Sequence, residues 1–254
     1  ANETWARSWS NIKTKNPWAD NFEKEGGPEI LLEQQYGAAN QWRDHFDYLL
    51  SFFKDDRYIK VDNKPMFNIM IYSKDILPMC EYWNSLAKKD GFNGIYFIFL
   101  YDRNREIPDN QFVFTYEPAW SGWKNEPFFD KVIRKCKTML GHYNGLKLVL
   151  DYDKMWQRNL KSAKSMSESR FYHGALVDFD DTPRRGIKAR YVRNASPKKF
   201  EKYLSELIKI SSEQGKEFVF LTAWNEWGEG AYLEPDEKND YEYLEALKSA
   251  ISQQ

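Results

Sequence analysis

The strongest constraint on the fold is an alternation of two hydrophobic patterns. MFNIMIY (Met66 to Tyr72), GIYFIFLY (Gly94 to Tyr101), FVFTY (Phe112 to Tyr116), FYHGALVDF (Phe171 to Phe179) and EFVFLTAW (Glu217 to Trp224) are short apolar runs bounded by turn residues. Runs of that kind read as strands covered on both faces. Between them the period changes. Trp42, Phe46, Leu49, Leu50 and Phe53 share one face of a helix over Ala39 to Asp55, and helical spacing returns from Asp75 to Lys89 and around Phe129 to Leu140. Ser196 and Pro197 form an N-cap and first turn ahead of a helix over Lys198 to Glu213, with Phe200, Leu204, Leu207 and Ile208 on one face and Gly215 as its stop. Tyr241 to Ile251 supplies the last helix, and Leu146 to Asp153 (LKLVLDYD) is ambiguous.

Strands alternating with helices predict an α/β fold with a parallel sheet. The 254 residues fit one large domain, and a single α/β barrel needs no second one. In such folds the chemistry sits on the loops after the carboxyl ends of the strands. Those loops carry Glu117 after FVFTY, Asp178, Asp180 and Asp181 after HGALV, and Glu226 and Glu229 after FVFLTA. Asn2-Glu3-Thr4-Trp5 reads as the end of one more strand, so acidic and aromatic residues gather at one predicted rim.

Charge and composition remove several classes of partner. With 37 basic and 38 acidic residues the formal charge is -1, which recommends neither nucleic acid nor an anionic membrane as a partner of the whole chain. No apolar run is long enough for a membrane span. Cys80 and Cys136 are far apart and outside any CxxC pattern, so they read as reduced structural thiols. His45, His142 and His173 form no compact metal pattern, and His173, inside a strand, reads as a satisfied core histidine. No GxSxG elbow and no glycine-rich phosphate cradle occurs; Gly26-Gly27-Pro28 suits a turn better than a nest.

Within LTAWNEWGEGAYLEPD (Leu221 to Asp236), Glu226 and Glu229 are three apart and flanked by Trp224, Asn225, Trp227 and Tyr232. Two carboxyl groups are the minimal equipment for making or breaking a glycosidic bond. Aromatic planes bind the apolar faces of sugars, and an Asn amide can bond their hydroxyls. Gly228 and Gly230 would let the backbone turn tightly enough to aim both carboxylates at one sugar. The competing reading gives one Glu a capping role and leaves the other solvated. Asp151-Tyr152-Asp153 and Asp178-Phe179-Asp180 have the DxD spacing of metal-dependent glycosyltransferases, but turn and capping roles are the commoner use of such acids.

ANETW, ILLEQQYG, HFDYLLSFFKDDRYIKVDNKPMF, DDTPRRG and TAWNEWGEGAYLEPD, in this order, resemble the WbsX-type family of lipopolysaccharide-biosynthesis or glycosyltransferase proteins. That family is similar to the endo-α-mannosidases of glycoside hydrolase family 99. The resemblance implies a (β/α)8 barrel whose final strand presents the Glu-Trp-x-Glu loop. It implies that Glu226 acts as base on a sugar 2-hydroxyl and Glu229 as acid/base at the glycosidic oxygen. Family members continue upstream of ANETW, so residues 1–254 are expected to be the C-terminal two-thirds of one barrel domain. Asp178-Phe179-Asp180-Asp181 and Gly228 depart from the family pattern, which puts substrate preference in doubt.

The expectation is therefore an enzyme of bacterial surface polysaccharide metabolism that cleaves or transfers glycosyl units through Glu226 and Glu229. Glu3, Trp5, Glu117, Asp180, Arg184, Trp224, Asn225, Trp227 and Tyr232 form the expected substrate-binding set. No metal or cofactor is called for, the partner is an oligosaccharide or polysaccharide, and the location is cytoplasmic. A metal-dependent transferase acting on a sugar nucleotide and a non-catalytic glycan-binding remnant are the alternatives.

Overall fold

The α/β expectation is met by the structure, a computed structural model that describes residues 5–6, 30–146 and 148–252. The described residues fall into two units, residues 5–6 and 30–114 in one and residues 115–252 in the other.

In the first unit β1 (Trp5–Ala6) pairs antiparallel with β2 (Ile30–Leu32). Two helices, α1 (Ala39–Phe53) and α2 (Leu77–Lys89), accompany a sheet of β3 (Lys60–Val61), β4 (Lys64–Ile69), β5 (Tyr96–Leu100) and β6 (Phe112–Phe114). β3 and β4 form a tight hairpin across Asp62 and Asn63, both at positive φ (50° and 56°). Asp and Asn tolerate that conformation, and a two-residue hairpin requires it. The hairpin starts β4 at Lys64 and not at Met66, where the apolar run begins, and the strand ends at Ile69. β4, β5 and β6 then run parallel, with Met66 opposite Tyr96 and Ile98 opposite Phe112. The unit's core is aromatic. Trp83 of α2 has no exposed surface, meets Phe67 edge-on at 5.1 Å and Phe46 at 6.1 Å, and donates Nε1–H to the Trp42 carbonyl at 2.9 Å. Each such burial contributes roughly 1.5–3 kcal/mol. Cys80, also on α2, is buried, and burial pushes its thiol up to about 12.

In the second unit the ambiguous segment resolves into β7 (Leu148–Asp151), which runs parallel to β9 (Arg190–Arg193). β7 passes directly into α4 (Tyr152–Ser165), a helix additional to those expected from the sequence. Asp151 is both the last strand residue and the N-cap, its carboxylate accepting the Lys154 N–H at 3.3 Å. β8 (Phe171–Leu176), buried along its whole length, pairs in parallel with β10 (Val219–Thr222), with His173 opposite Val219. Gly174 permits a close approach there, since a Cβ would lie 2.1 Å from the Thr115 carbonyl oxygen. His173 is buried and bonded through Nε2 to Gln214 Oε1 at 2.9 Å; burial lowers its pKa.

Helices α6 (Pro197–Glu213) and α7 (Glu242–Ser252) complete the unit's core with α4. Trp156, Phe200, Leu204, Leu207 and Ala246 are among its buried members. The start and stop of α6 are those expected: Ser196 Oγ accepts the Lys199 N–H at 3.4 Å, and Gly215 sits at φ 67°. Helix α3 (Phe128–Met139) buries none of its residues. Three short elements, α5 (Thr182–Arg185), β11 (Asn225–Glu226) and β12 (Ala231–Tyr232), shape the loops that follow β8 and β10. No described helix is long and apolar enough to cross a membrane.

Candidate active site

Beyond β10 the chain folds back on itself. β11 pairs antiparallel with β12, Asn225 opposite Tyr232 and Glu226 opposite Ala231, around a 3-10 turn over Trp227–Glu229. Gly230 closes the turn in the left-handed region (φ 58°, ψ 24°), and a Cβ there would sit 3.0–3.2 Å from the Asp180 backbone and Cβ. Conformation and contact both demand glycine at that position. Gly228 meets neither demand: the nearest atom to a Cβ there is Glu226 Oε1 at an ordinary 3.5 Å. The hairpin is tied down at both ends. Asp180 N–H donates to the Glu229 carbonyl at 2.7 Å, and the Leu233 and Glu234 N–H groups donate to the Trp224 carbonyl at 2.9 and 3.0 Å.

The two hairpin carboxylates stand in different surroundings. Glu229 Oε1 accepts a hydrogen bond from Arg184 Nη2 in an ion pair whose side chains are 27% and 21% exposed for Arg184 and Glu229. Arg184 is placed there by α5, which begins where Asp180 Oδ1 accepts the Thr182 N–H at 2.8 Å and Pro183 enters the first turn. Glu226 is exposed, and its carboxylate makes no hydrogen bond or ion pair with any described residue. Tyr116 senses both. Burial pushes its phenol up to about 12, the negative charges of Glu229 and Glu226 add to the rise, and Arg184 opposes it. Arg190, which lies over the Trp123 ring at 4.2 Å, is also within electrostatic reach of Glu229, and burial and Arg185 lower its pKa.

The aromatic residues form a platform. Trp227 and Tyr232 stack with centroids 3.9 Å apart and planes 23° apart. Their polar tips are anchored: Trp227 Nε1–H donates to Glu234 Oε2 at 2.7 Å and Tyr232 O–H to Asp236 Oδ2 at 2.8 Å. Trp227 stays 51% exposed and Trp224 54% exposed. Tyr232 thus covers one face of the Trp227 indole.

The second unit thus brings Asp180, Arg184, Trp224, Asn225, Trp227 and Tyr232 together with Glu226 and Glu229. Glu117 is placed differently. It is 1% exposed, and its carboxylate accepts hydrogen bonds from Ser121 N (3.0 Å), Ser121 Oγ (2.6 Å) and Asn159 Nδ2 (3.2 Å). Burial pushes it up to about 7 against those bonds. Its neighbour Tyr116 is the residue that senses the glutamate pair. Glu3 and the Trp5 side chain lie outside the described residues.

The DxD acids have structural partners. Asp151 caps α4 and accepts Asn194 Nδ2 at 3.0 Å; Asp153 accepts Lys199 Nζ at 2.7 Å and the Tyr203 hydroxyl at 2.8 Å. Asp178, which burial pushes up to about 6, accepts the Phe179 N–H at 2.7 Å. Among the described residues no group of three or more His, Cys, Asp or Glu side chains is arranged to hold a metal ion. Four members of the site lie outside the set expected from the sequence: Tyr116, Arg190, Glu234 and Asp236. Tyr116 carried a signal, as the last residue of the FVFTY run, and Glu234 and Asp236 lie inside the stretch already singled out.

The sequence profile described as Glycosyltransferase WbsX matches residues 1–247, and the chain belongs to that family. A Xanthomonas campestris pv. campestris protein described as uncharacterized protein WxcX is 24% identical over 259 residues, which cover 99% of this chain and 34% of that protein. Its counterpart from strain B100 is 23% identical with the same coverage. The chain therefore spans about a third of the length of the curated relatives it matches. A solved structure described as a glycoside hydrolase-like protein shares the fold, with a TM-score of 0.55 and 15% identity over 83% of this chain and 60% of that one. A GH99 endo-alpha-mannosidase from Bacteroides thetaiotaomicron gives a TM-score of 0.46 and 18% identity over 82% and 59%.

Proposed function

We propose that this chain is part of a carbohydrate-active enzyme that makes or breaks glycosidic bonds in an oligosaccharide or polysaccharide, with Glu226 and Glu229 as the reacting carboxyl groups. The observation that carries this reading is their asymmetry within one short hairpin, beside an exposed indole face. Glycosyl chemistry uses two carboxyl groups in different roles, and different surroundings are what separate the roles. Arg184 engages Oε1 of Glu229, which leaves Oε2 to pass a proton to or from a glycosidic oxygen. Glu226, unengaged, is free to take a proton from a sugar hydroxyl, the role that the family resemblance implies. A pyranose lying on the open face of Trp227 would present its hydroxyls to Asn225. The Tyr116 phenol, pushed up to about 12 by burial, is a further donor. The alternation of strands and helices supports assigning the domain to the (β/α)8 barrel of that resemblance.

A transferase built on Asp151 and Asp153 would first have to release one carboxylate from a helix cap and the other from a lysine and a tyrosine, so the hairpin is the better site. The test is turnover of bacterial surface polysaccharides, read as release or transfer of glycosyl units. Glu226→Gln and Glu229→Gln should each lower the rate by roughly 10²–10⁴-fold, the usual contribution of a general acid or base, while glycan binding by calorimetry stays measurable. Wild-type rates in both variants would refute the assignment. Binding without any turnover by the unaltered chain would favour a non-catalytic glycan-binding role.

A further inference from the structure

Helix α3 (FFDKVIRKCKTM) faces the wrong way for a helix of a protein core. Its Arg134 side is turned inward: Arg134 donates through Nε at 2.8 Å and Nη2 at 2.7 Å to the Glu126 carboxylate, with side chains only 11% and 4% exposed. Asp130 accepts Lys154 Nζ at 2.7 Å. Its apolar side is turned outward. Phe128, Phe129, Val132, Ile133, Met139 and the following Leu140 are between 41% and 87% exposed. At 3.6 residues per turn these side chains fall in one sector together with the exposed Cys136. Lys131 and Lys135 lie along one edge of that sector and Lys137 along the other, all three exposed and without an ion pair to any described residue. The one carboxylate of the helix, Asp130, is already paired with Lys154 at the surface.

We propose that α3 is an interfacial anchor that seats the protein on an anionic lipid surface, with its apolar sector at the boundary of the acyl chains and its lysines among the headgroups. A phenylalanine-rich face bordered by lysines whose stems can reach past the apolar boundary is the pattern of a helix lying in a membrane surface. Charge complementarity selects this occupant over a second copy of the chain. A symmetric dimer through this face would bring the same lysines together, with the one carboxylate of the helix already paired to Lys154. The inference is independent of the glycosyl chemistry proposed for the hairpin.

The test is co-sedimentation of the full chain with phosphatidylcholine vesicles and with vesicles that also contain phosphatidylglycerol. Each lysine near an anionic surface strengthens binding by roughly fivefold, so changing Lys131, Lys135 and Lys137 together to Gln should weaken partitioning on the order of a hundredfold. Phe129→Ser with Ile133→Ser should abolish binding. All five positions are exposed, so circular dichroism should report unchanged folding in both variants. An environment-sensitive dye on Cys136, the accessible thiol of the two, should shift to the blue with the anionic vesicles. No sedimentation with anionic vesicles, undiminished binding by the lysine variant, or a concentration-dependent dimer that Phe129→Ser dissolves would each overturn the proposal.

Discussion

Changing Glu117 to Gln should make the protein's stability less dependent on pH, in a direction and by an amount that follow from one buried carboxyl. Burial moves Glu117 from 4.5 up to about 7. Below pH 4.5 the group carries its proton in the folded and unfolded chains alike and costs nothing. Between pH 4.5 and 7 the unfolded chain ionises it while the fold holds the proton, so stability falls as pH rises, and above pH 7 the whole penalty is present. At ~1.4 kcal/mol per pH unit that penalty is roughly 3 kcal/mol, of which about 2–3 kcal/mol is lost between pH 5 and pH 8. Glutamine cannot accept all three donors that Ser121 and Asn159 offer, which costs about 1 kcal/mol at any pH. That cost cancels when the two proteins are compared at two pH values, as do other titrating groups such as Asp178. Urea unfolding at pH 5 and pH 8 measures the difference. The gap between variant and wild type should move by about 2–3 kcal/mol in the variant's favour on going to pH 8; a constant gap, or movement the other way, would refute the reasoning.

Two glycines make sharper steric predictions. Gly230→Ala must place a Cβ in the left-handed region and 3.0–3.2 Å from Asp180. It should cost about 1–3 kcal/mol and reduce turnover as the Asp180 bond to Glu229 gives way, readable as a lowered urea midpoint with the helical signal intact. Gly174→Ala would drive a Cβ to 2.1 Å from the Thr115 carbonyl oxygen. A loss of at least ~4 kcal/mol is expected, seen as failure to give a cooperative thermal transition, and normal melting would show that β8 can shift away.

Elements with their own start and stop signals could be read from the sequence, as α6 was from Ser196, Pro197 and Gly215. α4 could not, because no turn residue separates it from β7: Asp151 ends the strand and caps the helix at once, so two periods run together. The early start of β4 comes from the Asp62–Asn63 hairpin, whose pairing partner is not visible in an apolar run. Composition and spacing mark out the hairpin with Glu226 and Glu229; Gly230 closes its turn in the left-handed region, whereas nothing in the backbone at Gly228 requires glycine. At the end of FVFTY the acidic Glu117 is the chemically richer neighbour of Tyr116. Both lie past the end of β6 at Phe114, Glu117 in a turn, so no strand alternation shows which of them is buried, and here burial goes to the acid. The pairing of Arg184 with Glu229 is tertiary, set by α5 and the Asp180 turn. Likewise the spacing of α3 announces an apolar face but cannot say whether protein covers it.

The central claim is tested most directly by a crystal structure of the Glu226→Gln variant with an oligosaccharide that the wild-type protein turns over. The account predicts a sugar ring on the open face of Trp227, with the scissile oxygen within about 3 Å of Glu229 Oε2 and a ring hydroxyl facing residue 226. A glycan bound elsewhere, with neither hairpin carboxyl in reach of its glycosidic bond, would contradict it.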